Sequence, residues 1–485
     1  MVFGGDFEEG VAAYNAADYQ KAAALFQKAA DHGDVDAQNN LGFMYENGKG
    51  VTQDYPKAAV LFRKAADQGD ADAQYNLGVM YAYGKGVRQD YQKAAAFYQK
   101  AADQGIVDAQ RVLGVMYEQG QGVVQDYQKA AECYRKAADH GDAGAQFHLG
   151  MIYDQGRGVT QDYQKAAEYY RRAADQGHAR AQTNLGSMYL DGQGVTQDYQ
   201  KAAALFQKAA DQGNAAAQTI LGVMYEYGKG VTQDYQKAAA YYRKASDQGI
   251  VEVQAILGSM YEHGKGVRQD YQKAAEYYRR AADHGHTRAQ TSLGSMYLDG
   301  QGVTQDYQKA AELFRKAAEQ GHPRAQTILG VMYEQGQGVK QDYQKAAECY
   351  RKAAAQGYAM AQINLGVMYE HGRWVNQDYH KALQCYRKAA EQGVAAAQTN
   401  LGSMYLDGQG VRQDYQKAAA LFQEAAEQGD ADAQYHLGEM YENGQGVEEN
   451  AIKVYQYWKM AAMQGHQTAQ KKLDIFCKQH PIACK

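Results

Sequence analysis

The chain has 485 residues, a formal net charge of −5 and 45% hydrophobic residues, with 52 glycines against 3 prolines. So small a negative charge leaves no electrostatic footprint for nucleic acid or an anionic membrane, and no apolar run approaches the roughly 18 residues of a membrane helix. Disordered chains usually raise glycine and proline together, so these glycines need a different origin.

The opening residues, MVFGGDFEEG, show no basic segment followed by an apolar one, so no signal peptide is expected in this stretch. Behind them, LG recurs at 41, 77, 113 and onward to 437, and DY at 18, 54, 90 and onward to 414, always in steps of 36. The chain is therefore read as a tandem array. Within one unit, Ala37, Leu41, Met44 and Tyr45 mark one face of a first helix, and Gly48 marks its left-handed end. A short GKGV loop follows. Asp54 is placed to cap a second helix, whose apolar stripe runs Tyr55, Ala58, Ala59, Phe62, Ala65 and Ala66 until Gly69 stops it. Four such columns hold nearly all the glycines. The column of Gly42 lies inside a helix, where glycine costs about 1 kcal/mol against alanine, so a neighbour packed too close for a side chain is expected there.

The pattern LGxMYxxGxGVxxDYxKAxxxxxKAAxxG, repeated every 36 residues, resembles the Sel-1-like repeats (SLR), relatives of the tetratricopeptide repeats. That resemblance implies an all-α fold, a solenoid or α-α superhelix of helix-turn-helix repeats whose concave side is lined by the first helices. It also implies a protein-binding scaffold, of the kind found in bacteria and often exported. On this reading residues 1–33 form an N-terminal capping pair, since Tyr14 to Asp18 leaves no room for the GxGV loop. Residues 34–465 form twelve repeats, and 466–485 a closing helix and tail, with Asp474 in the glycine column.

Motifs for catalysis are missing: there is no HExxH, GxSxG, Walker loop or CxxC. No catalytic residue, cofactor site or metal site is expected. DHGH at 283–286 reads as a solvated turn rather than a ligand pair. Cys133, Cys349 and Cys385 share a column with Leu25 and Leu61 and read as small buried hydrophobes. Cys477 and Cys484 alone are placed to pair, and whether they do stays open.

Function is then expected where the copies differ. The variable first-helix positions follow AQ and follow MY, which selects Tyr75, Phe147 and Tyr227 as groove-facing. It also selects Leu190-Asp191, Leu298-Asp299 and Leu406-Asp407, which recur every 108 residues. The Leu-Asp pairs are expected to be solvent-exposed, because their column holds an acidic residue in most copies. Trp374, which breaks the loop-glycine column, is a possible aromatic hot spot. The expected function is a non-enzymatic scaffold, monomeric, binding protein or peptide in the groove. The alternative is a binder of a repetitive polymer such as cell-wall glycan or peptide stems.

Overall fold

The computed structural model describes residues 5–373 and 375–484. Among them lie 27 α-helices and no strand. The chain divides into two compact units, residues 1–248 and 249–485. Inside each, every helix packs antiparallel on the next, so the fold is an all-α solenoid of paired helices. The order begins α1 (Gly5–Asn15), α2 (Tyr19–Asp31), α3 (Val35–Asn47), α4 (Tyr55–Asp67) and α5 (Ala71–Tyr83), and the same pair of thirteen-residue helices then recurs with little change.

Both ends of each helix are set locally. Asp54 accepts from the Lys57 N–H at 3.0 Å, and its column does the same for every second helix described. Gly48 (φ 66°) ends α3 in the left-handed region, its N–H returned to the Met44 carbonyl. The lysine of the DYxK segment has a second duty that the repeat pattern does not reveal. Lys57 lies 5.3 Å from the centre of the Tyr45 ring and 3.5 Å from Asp54, so a cation–π contact joins the end of one helix to the start of the next.

The close approach expected at Gly42 is present. A methyl group there would come within 2.9 Å of the Phe62 ring, and within 2.8 Å of Tyr98 at Gly78. The ring of each second helix lies against the glycine of its own first helix, and most of these rings are fully buried. The pair persists at Gly10 and Phe26, where the connection is four residues shorter than in later copies. Asp474 occupies the same column in the last described helix, Gln467–Gln479, and is exposed.

A buried glutamine forms the polar counterpart of this contact. Gln38 donates to the Ala30 carbonyl on α2 at 3.3 Å and accepts from Gln68, at the end of α4, at 2.9 Å. The second bond recurs in ten repeats at 2.8–3.0 Å. It fails where the donor is histidine. Opposite His140 and His284, Gln110 Oε1 and Gln254 Oε1 are buried without a partner. His140→Gln, and separately His284→Gln, should therefore stabilise the chain by about 1 kcal/mol. Chemical denaturation reads this directly, and an unchanged midpoint in both variants contradicts the clamp.

Histidine also caps several first helices, His286 among them: its Nδ1 accepts from the Ala289 N–H at 3.2 Å, so DHGH is the exposed turn expected between two helices, and its last residue starts the second. His178 and His322 do the same for Ala181 and Ala325. Burial holds both imidazoles below their usual pKa. Arg180 and His148 add to this at His178 while Asp142 opposes it, and Arg288 and Arg324 add to it at His322. A depressed folded value means that the neutral ring contributes stability above the unfolded pKa of about 6.5. That contribution is lost as pH falls through the folded value. The melting temperature should accordingly drop between about pH 7 and 5. The double substitution His178→Asn and His322→Asn, which copies the cap at Asn214, should make that drop smaller. An unaltered pH profile would count against it.

Candidate functional site

In both units the first helices keep one face outside the core. On α3 that face carries Asp36, Asn39, Asn40, Phe43 and Asn47, and on α5 it carries Asp72, Tyr75, Asn76, Val79 and Tyr83. Phe43 is 42% exposed and Tyr83 72% exposed, while Leu41 and Leu77, one step round the helix, are buried. Asn76 donates to Asn39 at 3.1 Å and ties neighbouring first helices together across this face.

The residues singled out from sequence fall into three groups on this surface. Tyr227 is 63% exposed, and Asp191, Asp299 and Asp407 are exposed at the ends of their helices. Tyr75 is half-buried, its ring 5.7 Å from that of Tyr98. Phe147 is a correction: it is buried, stacked 4.7 Å from His178 and 6.0 Å from Tyr170. Its column lies at the seam between adjacent first helices, where a large ring turns inward to meet the next helix. Trp374 lies outside the described residues.

The leucines are the second correction. Leu190, Leu298 and Leu406 are half-buried and pack against the cores that contain Phe206, Phe314 and Phe422. The reason is chemical matching across sixteen residues. Where the buried ring is tyrosine, its hydroxyl needs an acceptor. Tyr134, Tyr242, Tyr278, Tyr350 and Tyr386 donate to Glu118, Glu226, Glu262, Glu334 and Glu370 at 2.6–2.9 Å, and Tyr170 reaches Asp154 at 3.4 Å. Where the ring is phenylalanine there is no hydroxyl to satisfy, and leucine takes the place of the acid. Two repeats depart from the rule: Ala82 stands opposite the buried Tyr98, and Glu46, opposite Phe62, pairs instead with Lys85 at 3.6 Å. The residue in the Lys85 column is Lys229 for Leu190, but Gln337 for Leu298 and Gln445 for Leu406.

Little on this face is chemically activated. Burial pushes the Cys133 and Cys349 thiols up to about 11, so both stay protonated and unreactive at neutral pH. These cysteines and Cys385 are half-buried rather than fully buried. Cys477 and Cys484 form a disulfide, with Cα atoms 5.6 Å apart. Among the described residues no group of three His, Cys, Asp or Glu side chains could hold a metal ion. No helix among them is long and apolar enough to cross a membrane. The strongest local electrostatics are structural. Burial opposes ionisation of Glu439, but hydrogen bonds from His436, Lys472 and Tyr435 prevail and hold its carboxyl down to about 2.

Charge is not spread evenly along the first helices. In the first unit α1, α3 and α5 carry Asp6, Glu8, Glu9, Asp36, Glu46 and Asp72 and no basic residue. In the second unit Arg288 and Arg324 occupy the column of Asp36 and Asp72 and are exposed. The leucine matching yields a test of its own. Leu298→Glu or Leu406→Glu should each cost about 1–2 kcal/mol, the penalty for a half-buried carboxylate without a donor. Phe314→Tyr or Phe422→Tyr should restore most of it, and Leu190→Glu, beside Lys229, should cost less. Equal melting temperatures in all these variants contradict the matching.

The sequence model of the Sel1 repeat family matches residues 9–34 and then twelve consecutive 36-residue windows from 35 to 466. Among solved structures, the chain is similar to the Escherichia coli protein c5321, described as a protective antigen of uropathogenic strains displaying an SLR fold. The identity is 37% over 88% of this chain and 93% of that one, with a TM-score of 0.82. A Sel1 repeat protein from Oxalobacter formigenes is 34% identical over 67% of this chain and 92% of that one, with a TM-score of 0.53. No curated protein matches the chain. The rings on glycines, the capped helix pairs and the matched windows agree: the chain belongs to the Sel1 repeat family.

Proposed function

We propose that this protein is a non-enzymatic scaffold that binds a protein or peptide partner on the outer face of its first helices. One observation carries the reading. The buried columns repeat almost unchanged, whereas the exposed first-helix column runs Asp36, Asp72, Asp108, Gly144, Arg180, Ala216, Glu252, Arg288, Arg324, Met360, Ala396 and Asp432. Core packing has no use for such variety, and a partner whose surface changes along its length does. The leucines that recur every 108 residues are occupied in packing against phenylalanines, so they offer no periodic surface for a repetitive polymer, and peptide is the better-supported ligand. The absence of any reactive thiol or catalytic motif agrees with binding rather than turnover. Export of the protein fits both the Cys477–Cys484 bond and the relative's description as an antigen.

A photo-crosslinking amino acid placed at Tyr83, Tyr227 or Met360, all exposed on first helices, should trap the same protein in the cells that make this chain. The same group at Val60 or Ile452, exposed on second helices, should trap none. Adducts from both sets alike, or from neither, overturn the proposal.

A further inference from the structure

At the start of the first unit, α1, α3 and α5 enclose a groove of about 480 Å³, large enough for one or two side chains. Its lining is mixed: Phe26, 2% exposed, Val11 and Phe43 give it an apolar part, and Tyr14, Asn15 and Asn39 a polar one. Its rim is polar in one particular way. Asn40 and Asn76 each present a carboxamide, which both donates and accepts and so suits the backbone of an extended chain. Asn40 makes no side-chain hydrogen bond among the described residues.

The charge on the three helices around the groove has one sign. The three helices contribute six acidic residues and no basic one, and Asp72 stands on the rim itself. Asp34 and Asp70 cap two of the helices and add to the field. These carboxylates act on one another: burial holds Asp70 above its usual value, and Asp72 and Asp36 push it further. Lys49, at the edge, is turned to the chain's own Tyr14 hydroxyl at 3.0 Å and lies over the Tyr14, Tyr19 and Phe43 rings. Lys85 is held by Glu46. Lys49 keeps its charge at that edge, whereas Asp36 and Asp72 make no ion pair among the described residues, and their negative field is left for a ligand to neutralise.

Resting on the scaffold reading above, we infer that this groove binds an extended cationic peptide segment, with an aliphatic or aromatic side chain seated against Phe26 and Phe43 and flanking Lys or Arg met by Asp36 and Asp72. The asparagine carboxamides hold the peptide backbone between them. Both charge and shape are needed. A cationic segment without the apolar residue leaves the apolar part wet, and an apolar segment flanked by acids is repelled by the rim.

Three fluorescein-labelled peptides test this against the full chain by anisotropy: GSKLRSG, GSKSRSG and GSELESG. GSKLRSG should bind at least about tenfold more tightly than either of the others, and more weakly at 0.5 M salt. Phe43→Ala, and separately Asp36→Lys with Asp72→Lys, should each weaken it by about tenfold. All three positions are exposed, so folding is expected to be retained, and circular dichroism checks it. No binding of GSKLRSG, equal binding of GSELESG, or affinity indifferent to both variants overturns the inference. Crosslinked partners that persist in these variants would leave the scaffold reading standing while this site falls. Peptide binding without any crosslinked partner would do the reverse.

Discussion

The fold depends on a ring lying against a glycine. In every repeat the second helix places one large side chain, Phe, Tyr or Trp458, where the first helix has no Cβ, and the helices close to a distance that any other residue would prevent. Helix propensity opposes this, because glycine in a helix interior costs about 1 kcal/mol against alanine. The burial of a whole aromatic side chain, worth about 1.5–3 kcal/mol, outweighs it. The spacing of the pair, and with it the contact each repeat offers the next, follows from that one choice.

Polar groups are then fitted around the ring rather than chosen freely. A tyrosine brings a hydroxyl into the core, and in six repeats it is met by Glu118 or its equivalents. A phenylalanine removes the hydroxyl and admits Leu190, Leu298 or Leu406. In most repeats the glutamine of the AQ pair holds three helices through two bonds, one to a carbonyl of the preceding second helix and one from the glutamine that ends its own. Because each repeat touches only its neighbours, these local solutions add along the chain.

Much of this was legible in the sequence, and the failures share a cause. The period, both helices, the Asp54 cap, the Gly48 stop and the tight place at Gly42 all follow from residues within one unit, whose local conformations have few alternatives. Contacts between columns were not legible. The leucines at 108-residue intervals looked like a surface because their column holds acids elsewhere, and only the ring opposite explains why an acid can be half-buried there. Phe147 went wrong in the same way, since its column sits on the seam between neighbouring first helices, where Thr183, Thr291, Thr327 and Thr399 are buried as well. The AQ glutamine was visible in every copy, yet its role was hidden because its partner lies thirty residues away. Of the candidate site, the exposed face of the first helices was located from variability, but the acidic groove at its start was not, since it needs three helices to be placed side by side.

The two missing glutamine bonds have a mechanical meaning. They fall in repeats 107–142 and 251–286, one in each unit, at positions four repeats apart. In a quasi-linear array each repeat bears the same load as its neighbours, so the chain yields first where a repeat holds its own two helices together least firmly. His140 and His284 thus mark the two repeats in which opening under load is expected to begin, each short of one bond of about 1 kcal/mol.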